Sequence, residues 1–280
     1  MKRVLAVVWV TACADEGTLA SQSKGASPGQ RPTTSSPQSP SQGDPSDDSP
    51  HTATEDPGPG AMTGPTGPTT TEGPCPADMR LVPAPGGDVC MDVYEAPNKE
   101  GEVPFVMFTL PESQAWCEAR GKRLCYDDDW TFACEGTEAL AYVYGDTYDS
   151  SVCNTNKTWR QYSDSKMNGW GAHSSSPERE TMAEVYAAVE ANGGFTASEH
   201  IQSLYQAEPA GTYPGCVDAW GIRDLIGGIE EWTLRRDGGE DSFHGNLKGR
   251  YWAESRTCQG NVRVHGDFFR FYEIGFRCCR

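Results

Sequence analysis

"AGTYPGCVDAWGIRDLIGGIEEWT", residues Ala210 to Thr233, is broken by glycine every few residues and holds no long regular period. A segment of this kind folds through tight turns, and Gly227 sits where a turn needs positive φ or a close backbone approach. Gly121, Gly136 and Gly145 stand in similar settings. Trp220 and Trp232, together with Trp130, are expected core aromatics, because large buried rings must fix a fold with few regular elements.

The whole chain has 280 residues, 23 basic and 40 acidic side chains, and a net charge of −17. That balance argues against nucleic acid, whose binding depends on neutralising phosphates. Eleven cysteines are too many for a reducing cytosol unless metal sites claim them. No Cys-x-x-Cys pair occurs and the five histidines are scattered, which disfavours a zinc cluster. An exported, disulfide-stapled domain is the expectation.

The N-terminus, "MKRVLAVVWVTAC", supports export: Lys2 and Arg3, an apolar run from Val4 to Val10, then small residues before Cys13. The run is far short of the roughly 20 apolar residues that span a bilayer. Residues 1–12 are therefore expected to be a signal peptide. Val10-Thr11-Ala12-Cys13 resembles a bacterial lipobox, which makes Cys13 the expected lipidation site; ordinary cleavage near Ala12 is the other reading. Without Cys13 ten cysteines remain, an even number that allows five bridges.

Residues 13–74 are rich in Ser, Thr, Pro and Gly, with almost no large apolar side chain. Such a composition cannot offset its ordering entropy and is expected to be a disordered tether. About 60 flexible residues reach roughly 45 Å end to end. A glycosylated stalk is the alternative, since threonines cluster between Thr63 and Thr71.

Residues 75–280 are expected to form one head domain. Thr109 and Glu112 in "TLPESQAWCEARGKRL" form a capping box, with Ala115, Trp116 and Ala119 expected on one buried face and Gly121 at the stop. "YDDDWTFACEG" starts a second helix whose three aspartates complement the dipole, and Gly136 closes it. They are expected to be a solvated cap rather than a cation site. Between about 157 and 209 two packed helices are expected as an insertion. The first starts near Ser176-Pro177 and carries Met182, Val185, Tyr186 and Val189; the second is capped by Thr196 with Glu199 and carries Ile201, Leu204 and Tyr205.

Six segments in order resemble the formylglycine-generating enzyme, or sulfatase-modifying factor, family. They are "DVCMDVYEAPN", "AWCEARGKRLCYDDDWTFACEG", "YVYGD", the stretch from Ala210 to Thr233, "GRYW" and "IGFRCCR". Together they span about 200 residues. The resemblance implies an α+β, C-type-lectin-like fold with little regular secondary structure, in keeping with 31 glycines and 20 prolines. Arg123 and Arg277 are expected to pair with buried carboxylates.

Oxidases of that family hold Cu(I) with two cysteine thiolates after the turn that "GRYW" resembles, a donor pair suited to that soft ion. Here Ala253 to Thr257 contains no cysteine. The resemblance aligns Cys258 with a structural cysteine and implies bridges from Cys134 to Cys258 and from Cys117 to Cys278. A lone catalytic Cys258 is the alternative. Cys75 and Cys90 flank a compact apolar segment and are expected to pair locally, while Cys125, Cys153, Cys216 and Cys279 have no assignable partner. Family oxidases also bind calcium; Asn154 and Glu231 keep matching positions, but Gly228 replaces an Asn of the second site. For Glu231, bonding to backbone amides is the other reading.

Two functions follow from the resemblance. One is a noncatalytic, lipid-anchored module of the bacterial cell envelope that binds or scaffolds an envelope protein or glycan, as family members among gliding-motility lipoproteins do. The other is a copper-dependent oxidase that makes formylglycine from a Cys-x-Pro-x-Arg peptide, or a related metal-dependent oxidoreductase. The missing cysteine pair favours the first.

Overall fold

The computed structural model describes residues 73–167 and 178–280. The leader, Cys13, the tether up to residue 72 and the Ser176-Pro177 helix start lie outside the described residues. The described part is mixed α+β with short elements.

Strands β1 (Met79–Ala84) and β2 (Gly87–Asp92) form an antiparallel hairpin turning on Pro85 and Gly86. β3 (Arg123–Leu124) and β7 (Cys278–Cys279) complete a sheet of order β1-β2-β7-β3, which seats the chain's last residues in its interior. A second sheet has the order β5-β4-β6, with β4 (Glu230–Leu234) antiparallel to β5 (Gly245–Lys248) and parallel to β6 (Ile274–Phe276).

Helix α1 (Leu110–Glu118) opens on the Thr109–Glu112 capping box. Its buried face is Leu110, Ser113, Trp116 and Cys117. Ala115 is only partly buried and Ala119 is exposed, because the Cys117 bridge and the Trp116 ring rotate the helix. Helix α2 (Asp127–Glu135) ends on Gly136 at φ 65°. The expectation of three solvated aspartates fails: only Asp128 is exposed, while Asp127 and Asp129 are buried. Asp127 accepts hydrogen bonds from Arg236 N, Asn246 Nδ2 and Arg263 Nη2, and Asp129 pairs with Arg123 and Arg236.

After the short α3 (Asp164–Met167), α4 (Met182–Gly193) begins on a Thr181–Glu184 capping box. Thr196 and Glu199 form no second box. Gly194 at φ 84° is the N-cap of α5 (Phe195–Leu204), which places Thr196 inside the first turn. Val185, Val189, Ile201 and Leu204 share one core with Phe105, Trp116, Trp232, Trp252 and Phe276, so these helices contribute to the main core. Trp116 packs edge-on against both Phe105 and Phe276, at 5.9 and 5.4 Å between ring centres.

A second core surrounds Trp130. Trp220 is half-buried rather than core, since its turn lies at the surface: Asp218 Oδ1 accepts from Trp220 N and Ile222 N, and the ring rests on Phe132. Gly227 combines φ 76° with a close approach, since a Cβ there would stand 2.3 Å from the Asn154 carbonyl oxygen. Any side chain would push the stretch Ala210 to Thr233 off its neighbour.

Five disulfides staple this frame. They join Cys75 to Cys90, Cys117 to Cys278 and Cys134 to Cys258, and the four unassigned cysteines pair as Cys125–Cys279 and Cys153–Cys216. Such bridges persist in oxidising, extracytoplasmic compartments. No helix of the described residues is long and apolar enough to cross a membrane.

Candidate functional site

The chain after β5 turns at Gly249 and Arg250, both at positive φ, and buries the Trp252 ring. Cys258 follows at zero exposure, its N–H donating to Ala141 O and its sulfur bonded to Cys134 on α2. A disulfide sulfur is not a thiolate, and the thiolate is the form that attacks or binds metal. All ten cysteines among the described residues are bridged, so the residues present do not fit Cu(I).

The turn is instead built from carboxylates and guanidinium groups. Arg250 bridges the buried Glu230 and, across one turn, Glu254. Glu273 lies nearby, buried, with Oε2 lacking a partner among the described residues. Burial first, then the neighbouring Glu230, pushes its carboxyl up to about 8. The folded state therefore keeps a proton that the unfolded chain releases at ordinary carboxylate pH. The resulting stabilisation is complete below the unfolded value and is lost as pH rises through about 8. Glu273→Gln is expected to match the wild type in Tm at pH 5 and to exceed it at pH 8.5, by on the order of a few kcal/mol in stability. Parallel pH–Tm curves for the two proteins would refute this.

Glu231 sits on β4 at zero exposure. Its Oε1 accepts from Arg277 Nη2 and its Oε2 from Arg277 Nε, each at 2.7 Å, and Trp130 Nε1 donates to Oε2 at 2.9 Å. Both oxygens thus accept from a cation and an indole rather than from backbone amides. Arg123 likewise pairs with the buried Asp129.

Asn154 is different. Its Nδ2 donates to Gln206 O, its carbonyl accepts from Gly228 N, and its Oδ1 has no partner among the described residues. Glu95 Oε2, from the strip after β2, is buried and accepts no hydrogen bond among the described residues, although Arg277 Nη2 stands 3.9 Å from it. Both residues line a cavity of about 10 Å³, with Asp224 and Glu208 also on its wall. That is room for roughly one water- or ion-sized guest. Burial and the facing Asp224 push the Glu95 carboxyl well above its ordinary range. Oxygen donors of this kind, with Asn154 Oδ1 idle, are the type that a hard cation takes.

Glu95 and Asp224 escaped sequence reasoning, although both lie inside quoted segments. Asp224 at φ 59° follows a turn and directs Oδ2 to Gly211 N. Nothing local in the sequence marks either carboxylate as buried.

Residues 88–280 match the family described as the sulfatase-modifying factor enzyme 1-like domain. The inactive C-alpha-formylglycine-generating enzyme 2 of Bos taurus is 23% identical over 164 residues, which covers 58% of this chain and 43% of that protein. This chain's match therefore spans less than half the length of that relative. Among solved structures, CarF aligns with a TM-score of 0.42 at 13% identity, over 64% of this chain and 68% of that one. Treponema denticola variable protein 1 gives 0.43 at 10% identity, over 69% and 84%. PvdO of Pseudomonas aeruginosa gives 0.37 at 19% identity, over 64% and 62%.

Proposed function

We propose that this chain, which belongs to the sulfatase-modifying factor enzyme 1-like domain family, acts without oxidase chemistry as a binding or scaffold module of the bacterial cell envelope. The observation that carries this reading is the Cys134–Cys258 bridge. It occupies the cysteine of the loop where family oxidases place their reactive pair, and Ala253 to Thr257 supply no other sulfur. The related bovine protein is itself named inactive.

In this proposal Cys13 carries a lipid, residues 13–74 act as a tether, and the head engages an envelope protein or glycan. One experiment tests chemistry and anchoring together: alkylation of the unreduced protein from a bacterial host, followed by mass spectrometry. The ten head cysteines are expected to stay unalkylated and Cys13 to carry acyl chains. Alkylated Cys258 would refute the noncatalytic reading, and unacylated Cys13 would refute the anchor.

Calcium belongs to the proposal at one position only. Asn154 Oδ1, Glu95 and Asp224 would hold the ion, which there neutralises buried carboxylates and ties the loop bearing Asn154 to the chain around Gly228. At 100 Kd a bound ion adds about 2.7 kcal/mol of stability. A calcium-dependent rise in Tm that Asn154→Ala abolishes is expected; equal rises in both proteins would remove calcium from this position.

A further inference from the structure

The turn of the β1–β2 hairpin, helix α2, strand β5 and the segment just after Cys258 line an open cleft of about 630 Å³. Its size is that of a small-molecule site. Two of its wall residues, Asn246 and Lys248, alternate with the core residue Leu247 along β5. Residues two apart on a strand share a face, about 6–7 Å from each other. Both are almost fully buried, at 1% and 3% exposure.

The carboxylates around the cleft are occupied. Asp127 is held by Arg263 and Asn246, Asp128 by Arg236, Asp237 by Arg235, and Glu135 by Gln259. Lys248 makes no ion pair among the described residues. Its Nζ donates to Cys258 O at 3.0 Å and lies 5.3 Å from the centre of the Trp130 ring. Asn246 donates through Nδ2 to Asp127, and its Oδ1 has no partner among the described residues. An amine without a carboxylate and an acceptor without a donor thus lie side by side in the strand that walls the cleft, both almost wholly desolvated.

A buried lysine without a carboxylate loses its proton readily, because burial disfavours the charged form. Burial is the largest influence on Lys248, with Asp127 and Glu135 opposing it and Arg263 adding to it, and the amine is brought down to about 8. At pH 7.5 roughly a quarter of such an amine is neutral, against about a thousandth for an ordinary lysine.

We propose that this cleft binds a small aldehyde or ketone and that Lys248 condenses with its carbonyl carbon to form an imine. The neutral Nζ adds its lone pair to the carbon, and the carbonyl oxygen takes up a proton to give a carbinolamine. The oxygen then leaves as water, with nitrogen having given up both of its hydrogens overall. Asn246 Oδ1, two residues away on the same strand face and without a hydrogen bond of its own, is the acceptor that the carbinolamine O–H would take once the adduct displaces the wall around Lys248. Desolvated lysines are the usual residues for this reaction. The proposal is independent of the missing cysteine pair.

Propanal with cyanoborohydride traps such an imine as a stable secondary amine, which peptide mapping of the full chain locates. Lys248 is expected to be alkylated at least tenfold faster at pH 7.5 than the exposed Lys99 and Lys166, with a rate that rises through a midpoint near pH 8. Labelling of Lys248 no faster than those two, or with a midpoint near that of an ordinary lysine, overturns the proposal.

Discussion

Arg277→Met is expected to remove about a fifth or more of the head's stability. Arg277 has no exposed surface and is the only cation in contact with Glu231 among the described residues. Its Nη1 also donates to the carbonyls of Asp92 and Val93, at 3.3 and 3.4 Å, and Nη2 lies 3.9 Å from Glu95. Breaking a buried ion pair from one side leaves the other charge uncompensated and costs about 3–5 kcal/mol. A domain of this size has a total of roughly 5–15 kcal/mol to lose. Denaturant unfolding of the wild type and variant gives the difference. The double variant Arg277→Met with Glu231→Gln is expected to recover part of the loss, because no charge then stays buried alone. A single variant within about 0.5 kcal/mol of the wild type would mean that the pair does not anchor the two sheets.

Loss of the Cys134–Cys258 bridge ranks next. The two cysteines are separated by 124 residues and are almost fully buried. Closing so long a loop lowers the entropy of the unfolded chain, with an expected contribution of about 4–5 kcal/mol in the chain-entropy picture. Cys134→Ala with Cys258→Ala should lower Tm sharply and leave the other four bridges intact by peptide mapping. Lys248 hangs its ammonium on the Cys258 carbonyl, so the same variant should also disturb the cleft beside α2. An unchanged Tm would show that the bridge is dispensable to the fold.

Most local signals carried over into the structure, whereas distant partnerships were legible only where the family resemblance implied them, as for Cys117 with Cys278 and Cys134 with Cys258. The Thr109–Glu112 box and the Gly136 stop involve residues within one or two turns, and both appear as written in the sequence. Thr196 and Glu199 carry the same pattern, yet Gly194 starts the helix earlier and the box never forms. The aspartates of α2 read as a solvent-facing cap because their partners Arg236 and Arg263 lie 109 and 136 residues beyond Asp127. The partners of Glu231 are hidden in the same way: Arg277 and Trp130, which donate to its oxygens, are 46 and 101 residues away. The family resemblance rested on six ordered segments, and the family match spans residues 88–280. Burial of single carboxylates such as Glu95 and Glu273 depends on packing between those segments, which no one segment encodes.

The most direct measurement is mass spectrometry of a sulfatase-type Cys-x-Pro-x-Arg peptide incubated with the intact protein, copper and a thiol reductant. With Cys258 in a disulfide and no neighbouring cysteine, the peptide is expected to keep its sulfur, and Cys258→Ser to change stability alone. Conversion of the peptide cysteine to the aldehyde, abolished by Cys258→Ser, would contradict a noncatalytic head and make the lone cysteine its nucleophile.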